Sequence, residues 1–192
     1  MVINKIPGRF VRPPGGFPDH DPKSIAMIPL HCGKVIDGLY ITGTHGRKVS
    51  MQLQFEVVGM DFMTAGKAAA RIRKTLQQIG LGSRTIRRVS VIAYEAEMNI
   101  VIHAQSGMIT VDVRPDSVHV IARDRGPGIP DVERAMSDGY STAPDHVREM
   151  GFGAGMGLPN IRRHASSLEI ESEVGEGTCL TAVVNFGSEE GR

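Results

Sequence analysis

Two polar side chains one helical turn apart are the first residues of this chain that could do chemistry. Glu95 and Asn99 lie four residues apart in EAEMNIVIHA, with His103 at the same spacing beyond them, so a helix places all three on one side. An amide oxygen can be a single protein ligand of Mg²⁺, and a carboxylate one turn away can accept a proton from a nucleophile. Taken alone, however, the spacing favours a helix edge of solvated polar residues.

Two turn sequences carry a second set of polar groups. In DRGPGIP, Asp124 ends a predicted strand and Gly126 and Gly128 bracket a sharp turn. A carboxylate there can accept a hydrogen bond from an exocyclic amine such as that of adenine. In GEGT, Thr178 offers a hydroxyl beside a tight turn. For each sequence, an ordinary surface turn is the alternative.

A ladder of glycines is more specific. Gly151, Gly153, Gly155 and Gly157 recur at every second position and lead into a helix predicted to begin near Leu158. Glycine lets the backbone approach a ligand, and a helix start offers free N–H groups and a positive dipole end. The spacing fits neither the dinucleotide fingerprint nor the P-loop. It predicts a phosphate-binding loop, here called the glycine loop (residues 151–157), with a flexible linker as the alternative.

The elements that must position these residues follow from hydrophobic periodicity. This periodicity predicts an α+β two-layer sandwich of five strands, mostly antiparallel, with helices between them. The first long helix is expected to begin at an Asp61 N-cap and to end at Gly80, and the second to span residues 86 to about 104. The predicted strands are MQLQFEVV, MITVDVR, SVHVIAR, LEIESEV and CLTAVVNF, and the predicted shorter helices are DVERAM and one over residues 158 to about 166.

Composition limits the class of protein. The chain has 192 residues, 41% of them hydrophobic and 22% charged, which fits one globular domain. The net charge of +1 argues against a nucleic-acid binder, and neither a membrane span nor a secretory signal is predicted. Cys32 and Cys179 lie far apart without metal-site spacing, which favours a reduced, cytoplasmic protein.

The N-terminal part of the chain differs from the rest. Residues 1–48 hold most of the prolines and no sustained periodicity, which predicts an irregular, flexible extension. A partner-binding arm, with VIDGLYITG (residues 35–43) paired as a strand, is the alternative. Residues 49–186 are then the folded domain and residues 187–192 a tail.

In their order along the chain, E-x-x-x-N, D-x-G-x-G, G-x-G-x-G-L and G-T resemble the motif set of the GHKL ATPases, the superfamily of gyrase, MutL and the histidine kinases. The resemblance covers about residues 51–186. It is nearest to the small bacterial serine kinases of partner-switching pathways, the anti-sigma factors and the stressosome switch kinases. PGIPDVERAMSDGYSTAP followed by GFGAGMGLP is more similar to the switch kinases, and EAEMNIVIHA to the anti-sigma factors, so the branch stays open.

The resemblance implies a Bergerat-type ATP-binding fold on a mixed, mostly antiparallel sheet, and a role for each motif residue. Asn99 would hold the Mg²⁺ that bridges the ATP phosphates, Glu95 would act as catalytic base, and Asp124 would bind adenine with help from Thr178. Residues from about 131 to 157, here called the lid segment, would cover the nucleotide. The implied nucleotide-binding set is Asn99, Asp124, Gly126, Gly128, Gly153, Gly155, Gly157, Leu158 and Thr178.

Two further side chains keep two interpretations each. Arg148, in the lid segment, could touch a phosphate, but a solvated charge is the simpler interpretation. His103 is either a neighbour of the site or a satisfied core residue, with the core slightly favoured.

The function implied is an ATP- and Mg²⁺-dependent serine/threonine protein kinase that phosphorylates a small antagonist protein in a partner-switching pathway. A sigma factor or a phosphatase would be a further partner and a homodimer the assembly, without nucleic acid or membrane. One alternative is an ATP-gated protein-binding regulator without significant catalysis. The other is the catalytic fragment of a histidine kinase, which is disfavoured because no helical dimerisation segment with an acceptor histidine is predicted before the domain.

Overall fold

The fold is a single antiparallel sheet covered on one face by helices. The computed structural model describes residues 39–42 and 50–186. The elements are β1 (Leu39–Thr42), β2 (Ser50–Val58), α1 (Lys67–Gln78), α2 (Ser83–His103), β3 (Ser106–Val113), β4 (Ser117–Arg125), α3 (Val132–Ala135), α4 (Asp145–Glu149), α5 (Gly157–His164), β5 (Ser167–Glu173) and β6 (Gly177–Asn185).

The strands are ordered β1-β2-β3-β4-β6-β5, and every neighbouring pair is antiparallel. The α+β two-layer prediction is confirmed. The sheet differs in detail, with six strands rather than five and no parallel pair among the strands described. The pairing follows from the connections, since β3–β4 and β5–β6 are hairpins and two helices return the chain from β2 to β3.

The added strand, β1, lies within the segment predicted to be irregular. It coincides with part of the alternative strand over residues 35–43 and pairs with β2 of the same chain. The rest of the predicted extension and the tail at 187–192 lie outside the described residues, so the predicted domain boundaries stay predictions.

The core lies between α2 and the inner face of the sheet. Alternate strand residues such as Ile109, Val111 and Val120 are fully buried, as expected for a sheet with one covered face. From the helix side, the predicted apolar stripe of α2 meets them, with Val89 and Ala93 fully buried. This stripe fixes the rotation of α2, and therefore fixes which way its polar residues face.

Helix α1 begins at Lys67, six residues later than the predicted Asp61 cap. The Asp61 carboxylate instead accepts hydrogen bonds from the backbone of Met63 and Thr64 and from the Thr64 hydroxyl, which closes a local turn. Gly66 then has a φ of 84°, a left-handed conformation that interrupts the helical path. The predicted start was therefore wrong because the local turn competes with the helix for the same N–H groups.

A buried glutamate provides the missing cap. Glu97 is 3% exposed. Its Oε1 accepts from the Ala68 N–H at 3.2 Å and its Oε2 from the Ala69 N–H at 2.9 Å. Gly66, the N-cap residue, has no side chain that could do this. The carboxylate thus neutralises the N-terminal end of α1 and ties α1 to α2.

We expect Glu97→Ala to lower the free energy of unfolding by about 2 to 4 kcal/mol, because it leaves buried N–H groups unpaired. Glu97→Gln keeps one acceptor oxygen and should lose less. Urea denaturation measures both. The control is Arg87→Ala, an exposed change on α2, which should stay within about 0.5 kcal/mol of wild type. Equal stability of Glu97→Ala and the control would contradict the capping role.

Candidate functional site

The polar edge of α2 faces the start of α5. The Nδ2 of Asn160 donates a hydrogen bond of 2.7 Å to Oε1 of Glu95. One turn further along α2, Asn99 lies against Gly157, where an added Cβ would be 2.8 Å from the Asn99 Oδ1. The structure therefore brings Glu95 and Asn99 together with Gly157, the last residue of the glycine loop, and with Leu158 next to it on α5.

The glycine loop has a backbone that other residues rarely adopt. Gly151, Gly153 and Gly155 have φ values of 89°, 72° and 74°, all in the left-handed region that favours glycine. A Cβ on Gly153 would be 2.4 Å from the Ala143 Cβ, and one on Gly155 would be 2.5 Å from the carbonyl carbon of Gly139. Packing within the lid segment therefore leaves no room for a side chain at Gly153 or Gly155, two of the predicted phosphate-binding glycines.

The lid segment is tied down at several points. Gly139 donates its N–H to the carbonyl of Gly155 at 3.0 Å, and the Arg163 guanidinium pairs with Asp138 at 2.5 Å. The Phe152 ring stacks on Phe62 with centroids 5.5 Å apart. The predicted short helix is present as α3, and α4 is a further helix that the sequence did not predict.

Part of the lid segment also packs on α2. Ala143 and Val147 are buried in a small cluster with Met98 and Ile102. Arg148, considered from the sequence as a phosphate contact, donates from Nε to the Ala143 carbonyl at 3.0 Å. Its Nη2 lies 3.4 Å from the Asp145 carboxylate. Both contacts stay within the lid segment, so Arg148 braces the lid in this arrangement.

Asp124 lies near the end of β4, beside the β5–β6 hairpin. Its Oδ1 accepts from the Thr178 N–H at 3.2 Å. A Cβ on Gly126 would be 2.8 Å from that oxygen, and one on Gly177 would be 2.2 Å from the Asp124 carbonyl. Burial raises the pKa of the Asp124 carboxyl above its ordinary value. Gly126 thus gives space beside a half-buried carboxyl.

The remaining turn glycine has a structural reason as well. Gly128 has a φ of 70°, and a Cβ there would be 2.2 Å from the Glu173 carbonyl oxygen. Because this turn lies so close to the last residue of β5, only glycine fits without moving the backbone.

Ser172 is a residue that sequence reasoning missed. Its hydroxyl lies 2.8 Å from the Thr178 hydroxyl and accepts from the Ile129 N–H at 2.8 Å. It also donates to the Gly177 carbonyl at 3.1 Å. Ser172 therefore joins the turn after β4 to the hairpin that carries Thr178. Only its inward position in the alternating strand β5 could have indicated this.

His103 is the last residue of α2, and it is half-buried. Burial lowers the pKa of its imidazole below the ordinary value, which favours the neutral ring. The adjoining Ala104 lies close to Gly126, whose added Cβ would be 3.2 Å from the Ala104 Cα. The end of α2 thus reaches the turn after β4. Helix α2 therefore connects the Glu95–Asn99 edge with the turn beside Asp124.

Two other kinds of feature are absent from the described residues. Residues 39–42 and 50–186 contain no cluster of three or more His, Cys, Asp or Glu side chains suited to a metal ion. In the same ranges, no helix is long and apolar enough to cross a membrane. Cys179 is a free thiol, and Cys32 lies outside the described residues.

Comparison with known proteins gives consistent similarities. Residues 62–184 match the model of the histidine kinase-like ATPase domain family. The serine/threonine-protein kinase RsbT of Bacillus subtilis (strain 168) is 32% identical over 115 residues, which are 58% of this chain and 80% of that protein. The anti-sigma F factor of Geobacillus stearothermophilus is 30% identical over 101 residues, which are 50% of this chain and 66% of that protein. That of Anoxybacillus flavithermus (strain DSM 21510 / WK1) is 27% identical over 143 residues, covering 69% and 90%.

The raised pKa of Asp124 gives a stability prediction. Its charged form is less favourable in the folded chain than in the unfolded one, so the carboxylate costs stability at neutral pH. Asp124→Asn removes this cost and keeps an oxygen for the Thr178 N–H. We expect a melting temperature equal to or above that of wild type at pH 7. The gain should vanish as the pH falls through the folded-state pKa to below 3.8, the ordinary value. A melting temperature lowered at pH 7 would contradict this.

Proposed function

This chain belongs to the histidine kinase-like ATPase domain family, and from that premise we propose that it is an ATP-dependent serine/threonine protein kinase of a partner-switching pathway. The observation that carries the proposal is the contact of Glu95 and Asn99 with the start of α5, directly after the glycine loop. Similarity to a serine/threonine-protein kinase and to anti-sigma F factors supports the same activity class.

In this proposal, ATP lies between the Asp124 turn and the glycine loop. Asp124 accepts a hydrogen bond from the adenine amine, and Thr178 assists from the adjoining strand. The absence of a side chain at Gly126 keeps the carboxyl accessible, since any Cβ there would crowd Oδ1. The N-terminal end of α5 and the loop N–H groups offer donors and positive dipole to the phosphates.

Asn99 is the proposed magnesium ligand. Mg²⁺ takes most of its ligands from water and phosphate oxygens, so a single amide oxygen is a suitable protein contribution. Gly157 fits this role, because a side chain there would be 2.8 Å from the Asn99 Oδ1 and would block it. When bound, the metal would neutralise charge on the phosphates. Asn99 would hold it beside the glycine loop.

Glu95 is the proposed base. A substrate hydroxyl loses its proton to the Glu95 carboxylate as its oxygen bonds to the terminal phosphorus of ATP. The bond from that phosphorus to the bridging oxygen breaks, and ADP leaves. Such transfer depends mainly on positioning and charge neutralisation, so a carboxylate fixed by a hydrogen bond from α5 is a suitable group.

The proposed substrate is a small antagonist protein with an acceptor serine or threonine, and a sigma factor or a phosphatase is a proposed further partner. A homodimer and a cytoplasmic location complete the proposal. An ATP-gated binding regulator is the second candidate, favoured by the contacts that anchor the lid segment to α2 and α5. In that case nucleotide would hold the lid in one arrangement and partner binding would follow without turnover.

Substitution of the proposed base tests whether phosphate transfer depends on Glu95. We expect Glu95→Gln to lower phosphate transfer to protein substrate by about 100-fold or more, as for loss of a general base, while ATP affinity stays within about twofold, a difference of about 0.4 kcal/mol. Transfer is measured with labelled ATP, Mg²⁺ and candidate antagonists. Glu171→Gln, an exposed change on β5, is the matched control. Unchanged transfer by Glu95→Gln would rule out Glu95 as the base.

A second prediction concerns the metal. We expect Asn99→Ala to weaken ATP binding about tenfold in the presence of Mg²⁺, or about 1.4 kcal/mol, because the amide ligand is lost. In EDTA the variant and wild type should bind ATP alike. Calorimetric titration in the two buffers gives both comparisons. An equal loss in EDTA would show that Asn99 does not act through the metal.

A further inference from the structure

We infer that Asn160 is a positioning residue for Glu95, and that the lid segment acts on the proposed base through it. This inference rests on the proposed kinase function. Asn160 lies three residues beyond the glycine loop, and the sequence motifs predict no role for it. Its Nδ2 donates to Oε1 of Glu95 at 2.7 Å in a partly buried setting, which is short for a hydrogen bond from an amide.

The neighbours of Asn160 leave its amide one satisfactory orientation. On one side is the Glu95 carboxylate, which only accepts hydrogen bonds; on the other is the Arg163 guanidinium, which only donates them. Arg163 Nη1 donates to the Asn160 Oδ1 at 3.3 Å. A rotated amide would set oxygen against oxygen and N–H against N–H. The two charged neighbours therefore fix the amide, and the amide in turn fixes the carboxylate.

The backbone of Asn160 is also held. Its N–H donates to the Met156 carbonyl at 2.8 Å, and its own carbonyl lies 2.9 Å from Nδ1 of His164. Its neighbours Pro159 and Ile161 are buried. Because α5 is anchored in this way, the side chain donates from a fixed point, and it directs the carboxylate of Glu95 towards the start of α5.

The chain of contacts continues into the lid segment. Arg163 Nη2 pairs with Asp138, and the adjacent Gly139 bonds to the Gly155 carbonyl in the glycine loop. Asp138, Arg163, Asn160 and Glu95 thus form one line from the lid segment to the proposed base. The Asp138–Arg163 pair is half exposed, so it contributes little by itself. Its effect is to orient the amide, and we expect that effect to be smaller than the effect of Asn160.

Asn160→Asp is the decisive variant. It keeps the size of the side chain but replaces the donor with a second carboxylate beside Glu95. We expect kcat for phosphate transfer to fall about 30- to 100-fold, as for a misplaced catalytic group, while KM for ATP stays within about twofold of wild type. Asn160→Ala should lose less, because it removes the donor without adding repulsion. Asp138→Asn should lose only about two- to fivefold, as expected for a half-exposed pair.

Two controls separate positioning from a general structural role. Arg162→Ala changes an exposed residue of the same helix and should keep wild-type kcat. In a Glu95→Gln background, Asn160→Ala should cause almost no further loss, because its effect passes through the carboxylate. Wild-type kcat for Asn160→Asp would overturn the inference, as would fully additive losses in the double variant. With wild-type transfer intact, either result would leave the proposed function standing.

A spectroscopic measurement tests the same contact. It needs neither phosphate transfer nor an Asn160 variant that folds. The side-chain amide signals of Asn160 are recorded by nuclear magnetic resonance in wild type and in Glu95→Ala. If Asn160 donates to Glu95, these signals shift when the carboxylate is removed, while those of Asn185, at the end of β6, do not. Unshifted Asn160 signals would overturn the inference. A wild-type protein that transfers no phosphate yet shows this shift would contradict the proposed kinase function and leave only the Asn160–Glu95 contact standing.

Discussion

The site depends on one constraint, which is that α2 must turn one face to the core and the edge beside that face to α5. Val89, Ala93 and Ile100 have almost no exposed surface, so the rotation of α2 about its axis is fixed by burial. That rotation delivers Glu95 to the Asn160 amide and Asn99 to Gly157. A leucine at position 95 would lose the hydrogen bond that Asn160 donates to Glu95. The polar edge of α2 thus has a structural partner on α5 besides the chemical role proposed for it.

Packing alone explains several of the motif glycines, without any ligand. Gly153, Gly155 and Gly128 would each clash with backbone or a neighbouring Cβ if they carried a side chain, and each has a positive φ. Gly126 and Gly157 differ, because a Cβ there would crowd a side-chain oxygen of Asp124 or Asn99. The motif glycines therefore divide into those that shape the lid segment and the turns, and those that keep polar side chains accessible. A regular glycine spacing in a sequence does not distinguish the two.

Much of the fold could be predicted because it depends on local periodicity. The helix over Ser83–His103, the β3–β4 hairpin and the β5–β6 hairpin match the predicted elements, since an apolar stripe or strict alternation specifies each of them. The start of α1 could not be found in this way, because its cap is Glu97, nearly thirty residues away. Tertiary contacts also explain why three other features could not be predicted from a local pattern. These are the contacts of Asn160, those of Ser172, and the Asp138–Arg163 pair. Strand β1 falls within a proline-rich stretch, where composition alone favoured irregular chain.

The central claim is that the α2 edge, the glycine loop and the Asp124 turn line a single nucleotide pocket. Calorimetric titration of the wild-type protein with ATP tests it most directly, first with Mg²⁺ and then with EDTA. The account predicts saturable binding of one nucleotide per chain, tighter with the metal than without it, and competition by ADP. Absence of saturable heat with ATP and Mg²⁺ would contradict the account.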